Sequence, residues 1–119
     1  MSSPFGAARL ELARRLEAAG LTGVTIDPAA GVPFVLVDLI TLTPPAQGIG
    51  AWPGTVPIRI VVPPPGNLEA AAALEAATFV VVATLGFAPA TPTTYTTGAG
   101  QDCPAYELTY PVTVPNPDC

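Results

Sequence analysis

The chain has 119 residues, the size of one ordinary domain, and half of them are hydrophobic, which is enough apolar side chain for one core. Charged residues make up only 11% of the chain, against about 25% in a typical globular protein, so the surface is poor in charge and suited to a partner. The net charge is −5, with four Arg and no Lys, which argues against DNA or RNA binding because that binding rests on clustered basic residues.

The N-terminal segment predicts an amphipathic helix over residues 4–19. Ser3 can cap its first turn, Pro4 suits the first helical position, and Gly20 can close its C-terminus. Its apolar residues recur at helical spacing, at Phe5, Ala8, Leu12, Leu16 and Ala19. Glu11 precedes Arg15 by four residues, so we expect a surface ion pair between them. Neither a secretory signal nor a transit peptide is expected here.

Two strands are predicted next, after one possible short strand at residues 24–26. Residues 34–42 are rich in β-branched side chains and predict a central strand with both faces mostly buried. Residues 56–62 predict an antiparallel neighbour, with Pro57 at its beginning or on a sheet edge. Asp38 and Arg59 are the only charges in these strands. A cross-strand or inter-subunit ion pair between them is one interpretation; the simpler one is that each faces solvent.

The segment between these two strands, residues 43–54, is punctuated by Pro and Gly and predicts a long loop. It carries Ile49 and the only tryptophan, Trp52. Long loops in compact domains are usually functional or disordered, so an aromatic side chain here indicates contact with another molecule.

A second helix is predicted over residues 68–85, after a proline-rich break, with Asn67 as its cap and Gly86 at its end. It is apolar nearly all round, which is typical of a helix buried on every side. Glu69 and Glu75 interrupt its apolar stretch and argue against a membrane span. Since so short a chain has difficulty enclosing a helix, we expect a neighbouring subunit to complete its cover.

The C-terminal third predicts two more strands, at residues 93–97 and 105–114, separated by a turn at residues 98–100. The second alternates apolar and polar side chains, which is typical of a half-buried strand, and Pro111 places it at or near a sheet edge. Residues 115–119 are expected to be a mobile tail. The predicted fold is therefore α+β, one domain over residues 1–119 in the order α-β-β-α-β-β. Two helices pack on one face of a mostly antiparallel sheet of about four strands.

The residues needed for catalysis or metal binding are scarce. The chain has no His, its only serines are Ser2 and Ser3, and Cys103 has no base to activate it. Asp102 and Glu107 are close in sequence, but solvated surface charge is the better interpretation. We therefore expect no enzyme activity, no metal and no cofactor. Cys103 and Cys119 are expected to be reduced thiols, with a bridge between them as the alternative.

A proline-rich run, Pro63-Pro64-Pro65-Gly66, joins the second strand to the second helix. It offers almost no backbone donors, so it does not predict a phosphate-binding loop. The simplest interpretation is a stiff connector; the alternative is a ligand for an aromatic groove of another protein.

The whole pattern resembles the tail terminator proteins of long-tailed bacteriophages, particularly those that infect actinobacteria. The resemblance rests on the order of the elements, on the length, and on the Ala-rich helix that begins Asn67-Leu68-Glu69. It also rests on the closing run Cys103-Pro104-Ala105-Tyr106-Glu107-Leu108. The Lys-free composition rich in Ala, Pro, Thr and Gly fits a host with GC-rich DNA.

This resemblance implies a virion structural protein at the head-proximal end of the tail, assembled in the host cytoplasm. It implies a ring of six copies that stops polymerisation of the tail tube and binds the neck. The implied partners are the chain itself, the major tail tube protein and a head-completion or neck protein. DNA would pass through the channel without specific binding, and no membrane is involved. The candidate interface residues are Asp38, Ile49, Trp52, Arg59, Glu69, Glu75, Tyr95 and Tyr106.

Other functions stay open at this point. Within the same class, the chain could be a head-completion or stopper protein, although a stopper built on a small β-barrel fits the long helix poorly, or a tail tube subunit, which needs more strands. A different class is a small module that binds a peptide or ligand through an edge strand or the Trp52 segment. Symmetry distinguishes these functions, because a terminator forms rings and a module is monomeric or dimeric.

Overall fold

The structure, a computed structural model, describes residues 4–26, 34–42, 51–63, 68–97 and 100–115. These residues form, in order, α1 (Pro4–Ala18), β1 (Val24–Thr25), β2 (Phe34–Val37), β3 (Thr41–Leu42), β4 (Ala51–Val61), α2 (Leu68–Leu85), β5 (Ala90–Thr96) and β6 (Asp102–Pro115). Both helices and the short strand β1 lie where the sequence predicts them. Gly20 and Gly86 follow the helices with φ of 102° and 100°, the left-handed conformation that glycine adopts without strain.

The strands form one mixed sheet in the order β1-β2-β4-β6-β5, and β3 also pairs with β4. Strands β1 and β2 are parallel, and the other pairs are antiparallel. The predicted α+β class and mostly antiparallel sheet are confirmed. The sheet has six strands in the described part of the chain, where about four were predicted.

Residues 34–42 do not form the single strand that the sequence predicts. Strand β2 ends at Val37, and pairing with β4 resumes in β3 at Thr41. Pro57 lies inside β4, opposite this break. Its carbonyl oxygen accepts a hydrogen bond from the Asp38 N–H at 3.0 Å, so the carbonyl points toward the break. In an antiparallel ladder the nitrogen and carbonyl of one residue point the same way, so the Pro57 nitrogen also faces the break. Pro57 has no N–H to return a hydrogen bond to Asp38, so the pairing of β2 with β4 ends here and the proline lies where the ladder is already interrupted.

Trp52 lies in a strand and not in the predicted loop, because β4 begins at Ala51 and pairs Trp52 with Val114. The Trp52 side chain is half-buried and stacks on Phe5 of α1, with ring centroids 6.2 Å apart. Gly54 allows β3 to approach β4 here, because a Cβ at Gly54 would lie 2.8 Å from the Thr41 carbonyl oxygen. Gly54 therefore marks a close contact between two strands and not a turn.

Strands β5 and β6 begin earlier than predicted, at Ala90 and Asp102. Strand β6 lies between β4 and β5 as far as Leu108, and beyond this residue it pairs with β4 alone. Pro111 therefore lies where one side of β6 is open, as the sequence predicts. Pro115 belongs to β6, and the rest of the predicted tail lies outside the described residues.

Both helices pack on the same face of the sheet, as predicted. Ala13 and Leu16 of α1 and Leu74 and Val81 of α2 join one buried cluster with the inward side chains of the strands, which include Val35, Val56, Ile58, Ile60 and Leu108. The opposite face carries a smaller buried cluster formed by Leu36, Val61, Cys103 and Ala105. Cys103 is a free thiol only 1% exposed, and Cys119 lies outside the described residues.

Candidate interaction surface

Within one chain helix α2 is not buried on every side, which agrees with the expectation that so short a chain cannot enclose it. Only Leu74 and Val81 of its 18 residues are buried, because the sheet covers one side of the helix and α1 only flanks it. Phe79 is 73% exposed and Leu68 is 86% exposed, and Ala72 and Ala76 between them and Ala83 after Phe79 are also exposed. Phe87, just after the helix, is also 86% exposed. The outer side of α2 is thus an apolar surface in need of cover, and we call it the α2 face.

Helix α2 is also the described helix that is long and apolar enough to cross a membrane, on length and composition alone. Leu74 and Val81 nevertheless anchor it in the core, and the strands on either side of it, β4 and β5, belong to one sheet. A membrane-spanning α2 would have to leave that core. Its packing therefore assigns it to the folded domain.

A groove runs along the flank of α2 that faces β5 and β6. It is lined by Glu75, Thr78, Phe79, Val82, Ala90 and Tyr106. The Thr78 hydroxyl is buried and has no hydrogen-bond partner within the described part of the chain. The structure thus brings together Glu75 and Tyr106, two of the predicted interface residues.

Three of the four arginines are held within the chain. Arg9 donates to the carbonyls of Ile26, at 2.7 Å, and Val37, at 3.2 Å. Arg15 donates to the Thr84 carbonyl of α2 at 3.3 Å and not to Glu11, so the predicted Glu11–Arg15 pair is absent from the ion pairs of the described residues.

Arg14 is the exception. It is exposed on the outer side of α1 and has no hydrogen bond or ion pair to the described residues. Leu10, one helical turn earlier, is exposed on the same side. The outer side of α1 therefore carries Arg14 and the exposed Leu10 together with two exposed carboxylates, Glu11 and Glu17, one helical turn from Arg14.

Of the two interpretations that the sequence left open for Asp38 and Arg59, the structure shows the ion pair, and it forms within one chain. The Arg59 guanidinium donates to Asp38 and, through Nε at 3.1 Å, to Glu107. Arg59 and Glu107 are direct partners in the β4–β6 register, which corrects the interpretation of Glu107 as a simple solvated charge. The three side chains lie on the sheet face away from the helices and are partly buried. Asp38 and Arg59 are therefore satisfied without a second subunit.

The other predicted interface residues lie apart from the groove. Trp52 is held against Phe5, and Tyr95 packs against the buried cluster on the opposite face of the sheet. Glu69 is exposed in the first turn of α2, and Ile49 lies outside the described residues. Sequence reasoning missed Phe79 and Phe87. Their signal was available in part, since an aromatic residue just after a helix-ending glycine has no place in the helix core.

Prolines disfavour association through two of the strand edges, the outer edge of β5 and the open side of β6. Thr97 donates to the Gln101 carbonyl, so odd-numbered residues of β5 face β6 and the Pro92 nitrogen faces outward. The Val62 N–H donates to the Pro104 carbonyl, so even-numbered residues of β6 face β4. The nitrogen of the odd-numbered Pro111 therefore points to the open side of β6. Prolines at an edge remove the donors that another strand would need. This favours the α2 face over these two strand edges as a binding surface.

The two neighbouring carboxylates do not form a paired site. Asp102 accepts a hydrogen bond from Thr96 at 2.7 Å, whereas Glu107 faces the other side of the sheet and binds Arg59. Among the described residues no group of three His, Cys, Asp or Glu side chains is placed to hold a metal ion.

A comparison of the chain with protein-family models finds no match, and a comparison with curated proteins finds no relative.

Proposed function

We propose that this protein is a bacteriophage tail terminator, a virion structural protein at the head-proximal end of the tail. In this proposal a ring of six copies stops polymerisation of the tail tube and joins the tail to a head-completion protein of the neck. The observation that carries the proposal is the α2 face, with Leu68, Phe79 and Phe87 largely exposed on one domain.

The size of these side chains makes the exposure costly. Burying a Leu or Phe side chain contributes about 1.5–3 kcal/mol, so covering these three would supply much of the free energy of a stable contact. Monomeric proteins rarely leave such apolar groups clustered on their surface. In a permanent assembly a neighbouring subunit covers such a surface, and a ring protein requires this kind of contact.

The charge of the chain also fits this role. A net charge of −5 with four arginines, three of them held within the chain, leaves little to grip phosphates. DNA could then pass through the centre of a ring without being retained. The chain, the major tail tube protein and the neck protein are the proposed partners.

The experiment is negative-stain electron microscopy of the purified protein, alone and mixed with tail tube subunits. We expect six-fold rings or tubes capped at a fixed length. Phe79→Ala should reduce capping, whereas the matched control Leu39→Ala, at a leucine 68% exposed in the break between β2 and β3, should not. A monomer with no effect on tube growth would overturn the proposal in favour of a small binding module. Binding to neck proteins alone would favour a head-completion protein.

A further inference from the structure

We infer that the groove between α2 and β5 is the docking site for a basic amphipathic helix of another protein, with one arginine of that helix lying between Glu75, Phe79 and Tyr106. The inference rests on the proposed function for the role of the α2 face as a contact surface. It deepens that function by naming the chemistry of the partner. In a tail terminator the docked helix would belong to a tube or neck protein.

The sheet face that carries the helices has an uncovered end beside this groove. Helix α2 packs on β4 and β6, whereas the main contacts of β5 are with β6 alone. Pro92 and Thr94 lie on the same sheet face as Tyr106 and are exposed. Packed helices lie about 8–10 Å apart, which is about two strand spacings, so a helix beside α2 would lie over β5.

The shape of the groove suits a helix of a partner. Its volume is about 330 Å³, within the range of binding clefts, and it follows the flank of α2. Strand addition at this side is disfavoured, because Pro92 removes a donor from the outer edge of β5. A helix laid along α2 needs no backbone hydrogen bond from the sheet, and it would cover Phe79 and Val82.

Glu75 is the single charge of the groove. It makes no hydrogen bond or ion pair with the described residues. Phe79 and Val82 follow it by four and seven residues and therefore lie on the same side of α2. A wholly apolar partner would bury the Glu75 carboxylate without a counter-charge, which is costly. The partner must therefore bring a cation as well as apolar side chains.

Arginine is the cation that fits this groove best. Two aromatic rings, Phe79 and Tyr106, line it together with Glu75. A guanidinium can pair with a carboxylate and stack on an aromatic ring, while its methylene stem covers apolar surface. The Tyr106 hydroxyl makes no hydrogen bond with the described residues and can accept one from the same guanidinium. The ammonium of lysine is more strongly hydrated and would gain less.

A second copy of this chain has no side-chain cation to offer. The chain has no Lys and four Arg. Three of these arginines donate to acceptors within the chain, namely Arg9, Arg15 and Arg59. The fourth, Arg14, lies between the exposed Glu11 and Glu17, so the surface around it is net acidic like the groove. The docked helix is therefore that of a different, basic protein.

The test begins with peptides of about 15 residues, long enough to form a helix, displayed on yeast and presented with the labelled protein. Each peptide position is drawn in equal proportion from Ala, Leu, Phe, Arg, Lys and Glu. We expect the bound peptides to be enriched in Arg over both Lys and Glu, with Leu or Phe at helical spacing. Enrichment of acidic or uncharged peptides would overturn the inference.

Variants then locate the binding of the strongest selected peptide, measured by fluorescence anisotropy, with far-UV circular dichroism to confirm folding. Glu75→Gln should raise the dissociation constant by about fivefold or more, and Phe79→Ala by about tenfold or more. Glu69→Gln is the matched control, because it removes the same charge about 120° away around α2 and should change the constant by less than about twofold. Equal effects of the two Gln variants would show unspecific attraction and contradict the docking site.

Charge reversal adds a second criterion. The Glu75→Arg protein should prefer the counterpart of the selected peptide in which the most sensitive arginine is replaced by glutamate. An unchanged preference for the original peptide would show that Glu75 does not face that arginine.

Tube capping separates this inference from the proposed function. Arginine-selective peptide binding together with tubes of uncontrolled length would leave the docking site standing and refute the terminator role. Capping by a protein that selects no basic peptide would keep the terminator role and refute the docking site.

Discussion

Tyr110 connects the end of α2 to the sheet, and its removal tests how α2 is held. The Tyr110 hydroxyl donates to the Gly86 carbonyl at 2.9 Å, and the ring is 5% exposed in the main core. Tyr110→Phe keeps the ring and deletes this bond, which should destabilise the protein by about 1 kcal/mol. For 119 residues the unfolding entropy is about 250 cal/mol/K near 60 °C, so the melting temperature should fall by about 4 °C.

The pH dependence of this effect follows from burial. Burial raises the pKa of the Tyr110 phenol above its usual value of 10.0, because the interior disfavours the phenolate. The folded protein then holds this proton more tightly than the unfolded chain. The stability from this source is fully present below about pH 10 and is lost as the pH rises through the folded pKa. The Tyr110→Phe protein lacks this group, so the difference between the two proteins should shrink above about pH 10.

Urea unfolding at pH 7 and at several values from pH 9 to 11 measures both effects. Tyr106→Phe is the matched control, because the Tyr106 hydroxyl makes no hydrogen bond to the described residues. An equal loss in both variants at pH 7 would refute the role of the Gly86 bond. A difference between wild type and Tyr110→Phe that stays constant through pH 11 would refute the argument from burial.

Three further predictions concern the sheet. Arg59→Met should cost about 1–2 kcal/mol in urea unfolding, because it leaves Asp38 and Glu107 side by side without a cation. Gly54→Ala should cost about 1–3 kcal/mol, since the added Cβ meets a backbone oxygen that cannot easily move. Pro92→Thr should change stability by less than about 0.5 kcal/mol but increase aggregation measured by light scattering, because it restores a donor to the outer edge of β5.

A control or a contradicting result tests the physical reason given for each of these three predictions. Combining Arg59→Met with Asp38→Asn and Glu107→Gln should recover most of the lost stability, and no recovery would contradict the charge argument. Gly100→Ala probes a glycine with φ of 83° and no neighbour near its Cβ, so its cost should reflect backbone strain alone. An unchanged aggregation rate in Pro92→Thr would show that β5 is protected by something other than its proline.

The sequence predicted both helices to within a residue or two because their boundaries depend on local chemistry. Pro4 at the first position and glycines after the last turns act on the few residues beside them. The strands were predicted less well because their limits depend on the partner strand. Residues 34–42 contain no signal for the break after Val37. The break occurs opposite Pro57 of the neighbouring strand, because proline has no N–H to donate.

The candidate site shows the same division. Charge counting in two strands was enough to name the pair between Asp38 and Arg59 as one of two interpretations, since a partly buried charge needs a counter-charge. Glu107 was missed as its third member, because only the register of β4 on β6 places it beside Arg59. The sequence predicts a loop at Trp52, but β4 extends through this residue and Phe5 stacks on its ring.

By itself the sequence determined that this chain is one α+β domain with two helices, an acidic surface poor in charge, and a second helix too apolar for its surroundings. Those properties depend only on the composition and on patterns within a few neighbouring residues. Only the tertiary structure decided which side of that helix stays open, because one sheet face has room to cover a single side of α2. It thereby turned an over-apolar helix into a specific face, with Phe79 and Glu75 outside and Leu74 within.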